Sequence, residues 1–166
     1  SLSLKRQYDL HSSLQQRSWA QANVMPLTSW LSTLWEQHAS TGYLLSPWQE
    51  QQRWQTLVQG DDTIITLNPE KTAALAQQAN TLMDQWGIPA DTSELCNADI
   101  TRFLHWRELF RAELSEHNWV TQGTLTAAVI DLLASRPLPL PPRIGLLGFD
   151  ELTPMTTTLI AELEQH

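Results

Sequence analysis

Two adjacent carboxylates, Asp150-Glu151, follow the apolar run Arg143-Ile-Gly-Leu-Leu-Gly-Phe149. An acidic pair at the end of a buried strand is the Walker B arrangement of nucleotide-hydrolysing folds. One carboxylate holds Mg²⁺ and the next polarises the attacking water. That chemistry also needs a glycine-rich phosphate loop, G-x-x-x-x-G-K-[ST], and the sequence contains none. Its two lysines, Lys5 and Lys71, follow no such loop. The pair therefore reads as a helix-initiating turn near a strand end, without a catalytic set around it.

Other reactive side chains are equally isolated. Arg102, Arg107 and Arg111 share one predicted helix, the last two at i,i+4, a spacing that can face a phosphate backbone. Glu108 and Glu113 lie among them, as on a solvated face. Eight tryptophans could stack on single-stranded bases. Most fall at helical spacing among Leu and Val and read as core. Trp48, at the second position of its helix, is the one expected in water. The five histidines show no metal-ligand spacing, and His105 with Glu108 lacks a partner motif. Cys96 has no activating neighbour, and Ser46 is a helix cap. No metal and no cofactor are implied.

The elements that position these groups are mostly helices. Leu4 with Tyr8 and Leu10 with Leu14 give a first helix running to about Gln16. Residues from Trp19 to Met25 read as extended, closed by Pro26. Thr28 suits an N-cap for the stripe Trp30, Leu31, Leu34, Trp35, which ends by Gly42. Ser46-Pro47-Trp48-Gln49 is the clearest start signal, a capping hydroxyl, Pro at N1 and Gln at N3. Thr63–Leu67 is a short strand or extended loop. Asn68-Pro69 opens an Ala/Gln-rich helix stopped at Gly87. A long helix over about 97–117 carries Phe103, Trp106, Phe110 and Leu114, and Asn118 suits its end. Thr121 can cap a helix through Leu133. Arg136-Pro-Leu-Pro-Leu-Pro-Pro142 reads as a polyproline connector, Arg143–Phe149 as a buried parallel strand, and Pro154 as the start of a closing helix.

This pattern predicts a mostly α chain with a minor parallel sheet, an α/β layer interrupted by helices. Residues 1–43 form the first part of the layer, 44–135 a helical subdomain, and 136–166 a returning strand and helix. The strands near Ala20–Met25 and Arg143–Phe149 are expected in one sheet. Beginning at Ser1 inside a helical pattern, the chain reads as a piece of something longer.

Composition narrows the classes further. The 166 residues are 42% hydrophobic and only 17% charged, which excludes a disordered polyelectrolyte. A net charge of −8 argues against strong duplex-DNA affinity. One cysteine excludes a disulfide framework, and no apolar run approaches a membrane span. A cytoplasmic protein without a membrane partner is expected.

Five phrases occur in order: Leu4-Lys-Arg-Gln-Tyr8, Met25-Pro-Leu-Thr-Ser-Trp-Leu31, Leu44-Leu-Ser-Pro-Trp-Gln-Glu50, Phe103-Leu-His-Trp-Arg107 and Leu146-Leu-Gly-Phe-Asp-Glu-Leu-Thr-Pro154. Together they resemble the N-terminal region of bacterial DNA-repair proteins of the PD-(D/E)XK nuclease superfamily, relatives of the AddB subunit of helicase-nuclease complexes. The resemblance implies an incomplete superfamily 1 helicase-like domain with a helical insertion, its nuclease lying far downstream. It implies a module without catalysis of its own and a helicase-nuclease partner subunit. Any single-stranded DNA contact is expected to be weak, given the net charge of −8, and to be made by the helical subdomain through Arg102, Arg107 or Arg111. Aligning Phe149 and Thr153-Pro154 to the family's landmarks puts Leu147 at the metal-holding position and Gly148 at the water-polarising one. Asp150 and Glu151 then lie about 10 Å too far along an extended chain, a degenerate Walker B. The other register, with Asp150-Glu151 as the acidic pair itself, stays open. An ATP-hydrolysing domain truncated before its phosphate loop and a helical protein-interaction domain are the alternatives.

Overall fold

A computed structural model describes residues 5–10, 23–62, 68–90 and 98–166. The expectations for Leu4, for residues 11–22 and 63–67, and for Cys96 fall outside the described residues. Residues 5–10 are helical. There follow α1 (Leu27–His38), β1 (Tyr43–Leu44), α2 (Pro47–Gln59), α3 (Pro69–Trp86), α4 (Ala98–His117), β2 (Trp119–Val120), α5 (Leu125–Ser135) and α6 (Pro154–Leu163). The chain is mostly helical with a small parallel sheet, as its patterning implies.

Local chemistry sets most of these boundaries. The Ser46 hydroxyl accepts the Gln49 backbone N–H, and the Gln49 side chain accepts the Ser46 N–H, with Pro47 at N1. Asn68 caps α3 through the Lys71 N–H, and Thr153 caps α6 through the Thr156 N–H, each followed by Pro at N1. Gly87 ends α3 in the left-handed region, where Ile88 N–H reaches back to the Met83 carbonyl. Asn118, at φ 56°, ends α4. Two starts differ from the sequence reading. Helix α1 begins at Leu27 after Pro26 with no side-chain cap, and Thr121 heads a turn whose Thr124 precedes α5.

Strands β1 and β2 pair in parallel, Tyr43 opposite Trp119 and Leu44 opposite Val120. Between them the chain runs through α2, α3 and α4, so helices are inserted within one parallel connection. The pair also separates two hydrophobic clusters. Leu45, Trp54, Val58, Ala73, Ala76, Trp106, Phe110 and Leu114 form one, with Trp119 packed against it. Leu31, Leu34, Leu125, Val129, Leu133 and Leu159 form the other, with Leu44 and Val120 packed against it. Successive strand residues point to opposite faces, which is how two short strands serve both cores. Residues 44–135 straddle these clusters, since α5 packs with α1 and α6. Gly42 makes the entry to β1 possible. Its φ is +98°, and a Cβ there would lie 2.8 Å from the Trp35 ring.

The expected strand over Arg143–Phe149 is not formed. The segment is irregular and exposed, with Leu147 66% accessible and Gly148 at φ +80°. Leu138 and Leu140, within the proline segment, pack against the second cluster instead. Pro141 and Pro142 withhold N–H groups just before the run, and two glycines interrupt it. Residues 23–25, the described part of the other expected strand, are not strand either. The parallel pairing is therefore real but belongs to other residues.

The first cluster centres on Trp54, fully buried and 4.5 Å from the Phe110 ring. Trp54→Ala is expected to destabilise the protein by about 3–5 kcal/mol. Trp48→Ala, at a side chain 68% exposed, is expected to shift stability by about 0.5 kcal/mol or less. Urea unfolding of the two variants checks this, and equal losses would contradict the burial assignments.

Candidate functional site

The capping box that starts α2 also builds one wall of a groove. With Gln49 Oε1 held by the Ser46 N–H at 2.9 Å, its Nε2 donates to the Tyr43 hydroxyl at 3.3 Å. Tyr43 is thereby fixed beside the helix start, and Trp48 projects from the same turn. Both rings are open to water, 55% and 68% exposed. Strand pairing brings Trp119 alongside Tyr43, and Arg53 reaches over from the next turn of α2. The resulting cavity is about 260 Å³, its polar edge formed by Gln52 and Thr56.

Charge in this groove is one compensated cation. The Arg53 guanidinium carbon lies 4.8 Å above the Trp119 ring. Its NH1 is 3.3 Å from Glu113 Oε1. His117 stacks on the same indole at 4.4 Å. Trp119 is thus engaged by two neighbours, whereas Tyr43 and Trp48 present open ring faces. Rings with free π-faces, amides and a guanidinium suit a flat, polar, anionic ligand such as a nucleotide unit.

The predicted arginine set does not stand together. Arg107 is buried, its Nε donating to Asn80 Oδ1 at 2.9 Å and its NH2 to Asp84 Oδ1 at 2.7 Å. Asn80 Nδ2 closes the triangle on Asp84 Oδ2 at 3.1 Å. A guanidinium held this way cannot reach a phosphate backbone, so Arg107 leaves the contact set. Arg107 and Arg111, at i,i+4 on α4, lie on one stripe that turns inward at Arg107. Arg102 lies 3.7 Å from Asp61 and 4.0 Å from Asp99. Arg111 is exposed and, with Arg107, His105 and Glu108, lines a separate cavity of about 460 Å³.

The degenerate Walker B region also changes character. Leu147, Gly148, Phe149, Asp150 and Glu151 are all exposed and irregular. Both sequence registers presuppose a strand end in this segment, and neither finds one here. Among the described residues, no group of three or more His, Cys, Asp or Glu is placed to hold a metal ion. None of their helices is long and apolar enough to cross a membrane.

Tyr43, Arg53, Glu113 and Trp119 were not singled out by sequence. Trp48 was, because the N2 position of a capped helix faces outward. Arg53, one turn beyond Gln49, is a neighbour of that capping residue rather than of Trp48, so helix spacing alone does not pair it with the tryptophan. Trp119 could not be paired with it either, since only the β1–β2 pairing brings it near. Comparisons with protein families, with curated proteins and with solved structures find no match.

On the inner face of α2, Glu50 is buried with Oε1 lacking a hydrogen-bond partner among the described residues. Burial pushes its carboxyl up to about 7, and the nearby Asp84 adds to the rise. Gln77 and the Trp54 indole pull the other way by less. Because the folded value lies above the ordinary 4.5, the folded state retains the proton longer than the unfolded one. The associated stability is complete below about pH 4.5 and is lost as pH rises to about 7, a change of about 3 kcal/mol. Glu50→Gln should remove this decline, so the variant gains on the parent by about 3 kcal/mol between pH 4 and 8. Denaturant titrations across that range measure it, and parallel stability curves would contradict the burial of the carboxyl.

Proposed function

We propose that this chain is a non-catalytic, helicase-like module of a DNA-repair or recombination nuclease, a scaffold that also guides single-stranded DNA weakly. The observation that carries the DNA reading is the groove, where two open aromatic faces stand beside a guanidinium. Stacking on aromatic rings selects unstacked bases, hence single strands, and is tolerant of sequence. The five ordered phrases that resemble AddB-like proteins support the class of the parent. Helices inserted within a parallel strand connection are in keeping with that class, on the strands Tyr43–Leu44 and Trp119–Val120 rather than those expected from the sequence.

Magnitudes make the contact weak. Stacking is worth about 1–3 kcal/mol per base. One compensated cation in the groove, on a chain of net charge −8, adds little long-range attraction. Arg111, exposed on α4, is the member of the predicted arginine set best placed to add a phosphate contact. A helicase-nuclease subunit is the proposed protein partner, with no membrane involved.

A second reading, a helical protein-interaction domain, is favoured by the exposed apolar side chains Leu147, Phe149 and Leu152. The two readings separate on one titration. With a fluorescently labelled oligo(dT), anisotropy should report salt-sensitive binding that Trp48→Ala weakens about tenfold, at unchanged stability. Equal binding by parent and variant would contradict the groove reading. Absence of binding at low salt would leave the protein-interaction reading as the better one.

A further inference from the structure

We propose that Arg53 is the phosphate-binding group of the groove, and that Glu113 occupies it until a backbone phosphate of single-stranded DNA takes its place. This rests on the groove reading above and adds to it the group that answers the strand's charge, together with an internal competitor for that group.

Three features of Arg53 suit it to the exchange. Its guanidinium is steadied over the Trp119 ring at 4.8 Å, so part of the ordering entropy is already met before any ligand arrives. It stands on α2 beside the groove that Tyr43 and Trp48 also line, so a base stacked there brings its own phosphate close. Its partner contact is a single one of 3.3 Å, with the two side chains 45% and 25% exposed. A pair this open to water is weak, and it restrains Arg53 by about fivefold at most. A phosphate offers the guanidinium two parallel hydrogen bonds in place of that one long contact. The other guanidinium nearest the core, Arg107, is committed to Asp84 and Asn80 and cannot substitute.

Exchange has a signature in salt dependence. When a phosphate is neutralised, the strand releases a condensed cation, and log K falls with log salt by about 0.7 per contact on single strands. If Glu113 is uncovered in the same step, a pair that salt itself loosens is given up, and this offsets part of the fall in log K. Arg53 therefore contributes less than a full contact to the salt slope in the parent protein. With Glu113→Gln the offset disappears.

The experiment is anisotropy titration of labelled oligo(dT) against the full chain over a salt series. Glu113→Gln is expected to bind about threefold more tightly at low salt, with a steeper slope, the increase being at most about 0.7. Arg53→Gln should bind more weakly than the parent, and adding it to Glu113→Gln should erase the gain. Asp131→Asn makes the same charge change at an exposed position of α5 that lines neither cavity, and should alter neither quantity. If Glu113→Gln and Asp131→Asn behave alike, net charge alone explains the gain and the exchange is overturned. If Glu113→Gln matches the parent while Trp48→Ala still weakens binding, the exchange fails and the groove reading stands. If neither the parent nor any variant binds, both fall together.

Discussion

A guanidinium withdrawn from water must be neutralised where it sits, and Arg107 meets that demand through Asp84 and Asn80 inside the helical insertion. Removing one partner would leave a buried charge unpaired, at a cost of about 3–5 kcal/mol. The pair therefore ties α3 to α4 in one register. That register has consequences beyond the two helices, because α4 runs directly into Asn118 and β2. Where α4 lies decides where Trp119 meets Tyr43. The same pair takes Arg107 off the surface and leaves Arg53 as the guanidinium of the groove. Burial raises the Glu50 carboxyl on α2, and the negative charge of Asp84 adds a smaller push in the same direction.

The groove is assembled from two local devices and one long-range one. The Ser46–Gln49 capping box satisfies orphan N–H groups at the start of α2 and, through the free end of the Gln49 amide, fixes Tyr43. The outward N2 position presents Trp48. Parallel pairing of β1 with β2 supplies Trp119, over which Arg53 rests. The helical crossover that makes such a parallel pair possible is the insertion itself. The groove is thus part of the same construction as the scaffold, and a change that breaks the Arg107–Asp84 tie between α3 and α4 should be felt there.

Much of the helical layout was legible because it is written in short-range chemistry. Ser46-Pro47-Trp48-Gln49, Asn68-Pro69 and Thr153-Pro154 each place a capping oxygen before a proline that forgoes an N–H it would not use. The burial of Trp106, Phe110 and Leu114 follows from their common stripe. The exposure of Trp48 follows from its place in the first turn. The strands were misplaced for a physical reason. Two-residue strands carry no period to detect, whereas Ile144–Phe149 has the composition of a buried strand but finds no strand partner or cover among the described residues. Composition can show that a run would suit a sheet interior. It cannot show that the fold provides one. Arg107 is the matching case among the charged residues. Its neighbours in sequence read as a solvated face, while Asp84 and Asn80, which draw it inward, stand on another helix. The Arg53–Trp119 contact joins two residues far apart in the chain and was not readable at all.

The central claim is that single-stranded DNA lies across Tyr43 and Trp48 beside Arg53. Photo-crosslinking with a bromodeoxyuridine-substituted oligonucleotide, followed by peptide mapping, tests this most directly, because an excited base reacts with the aromatic ring it stacks on. The account predicts adducts within residues 43–53, concentrated on Trp48 and Tyr43. Adducts confined to the Arg102–Arg111 stretch of α4, or none within 43–53 under conditions where the strand is bound, would contradict it.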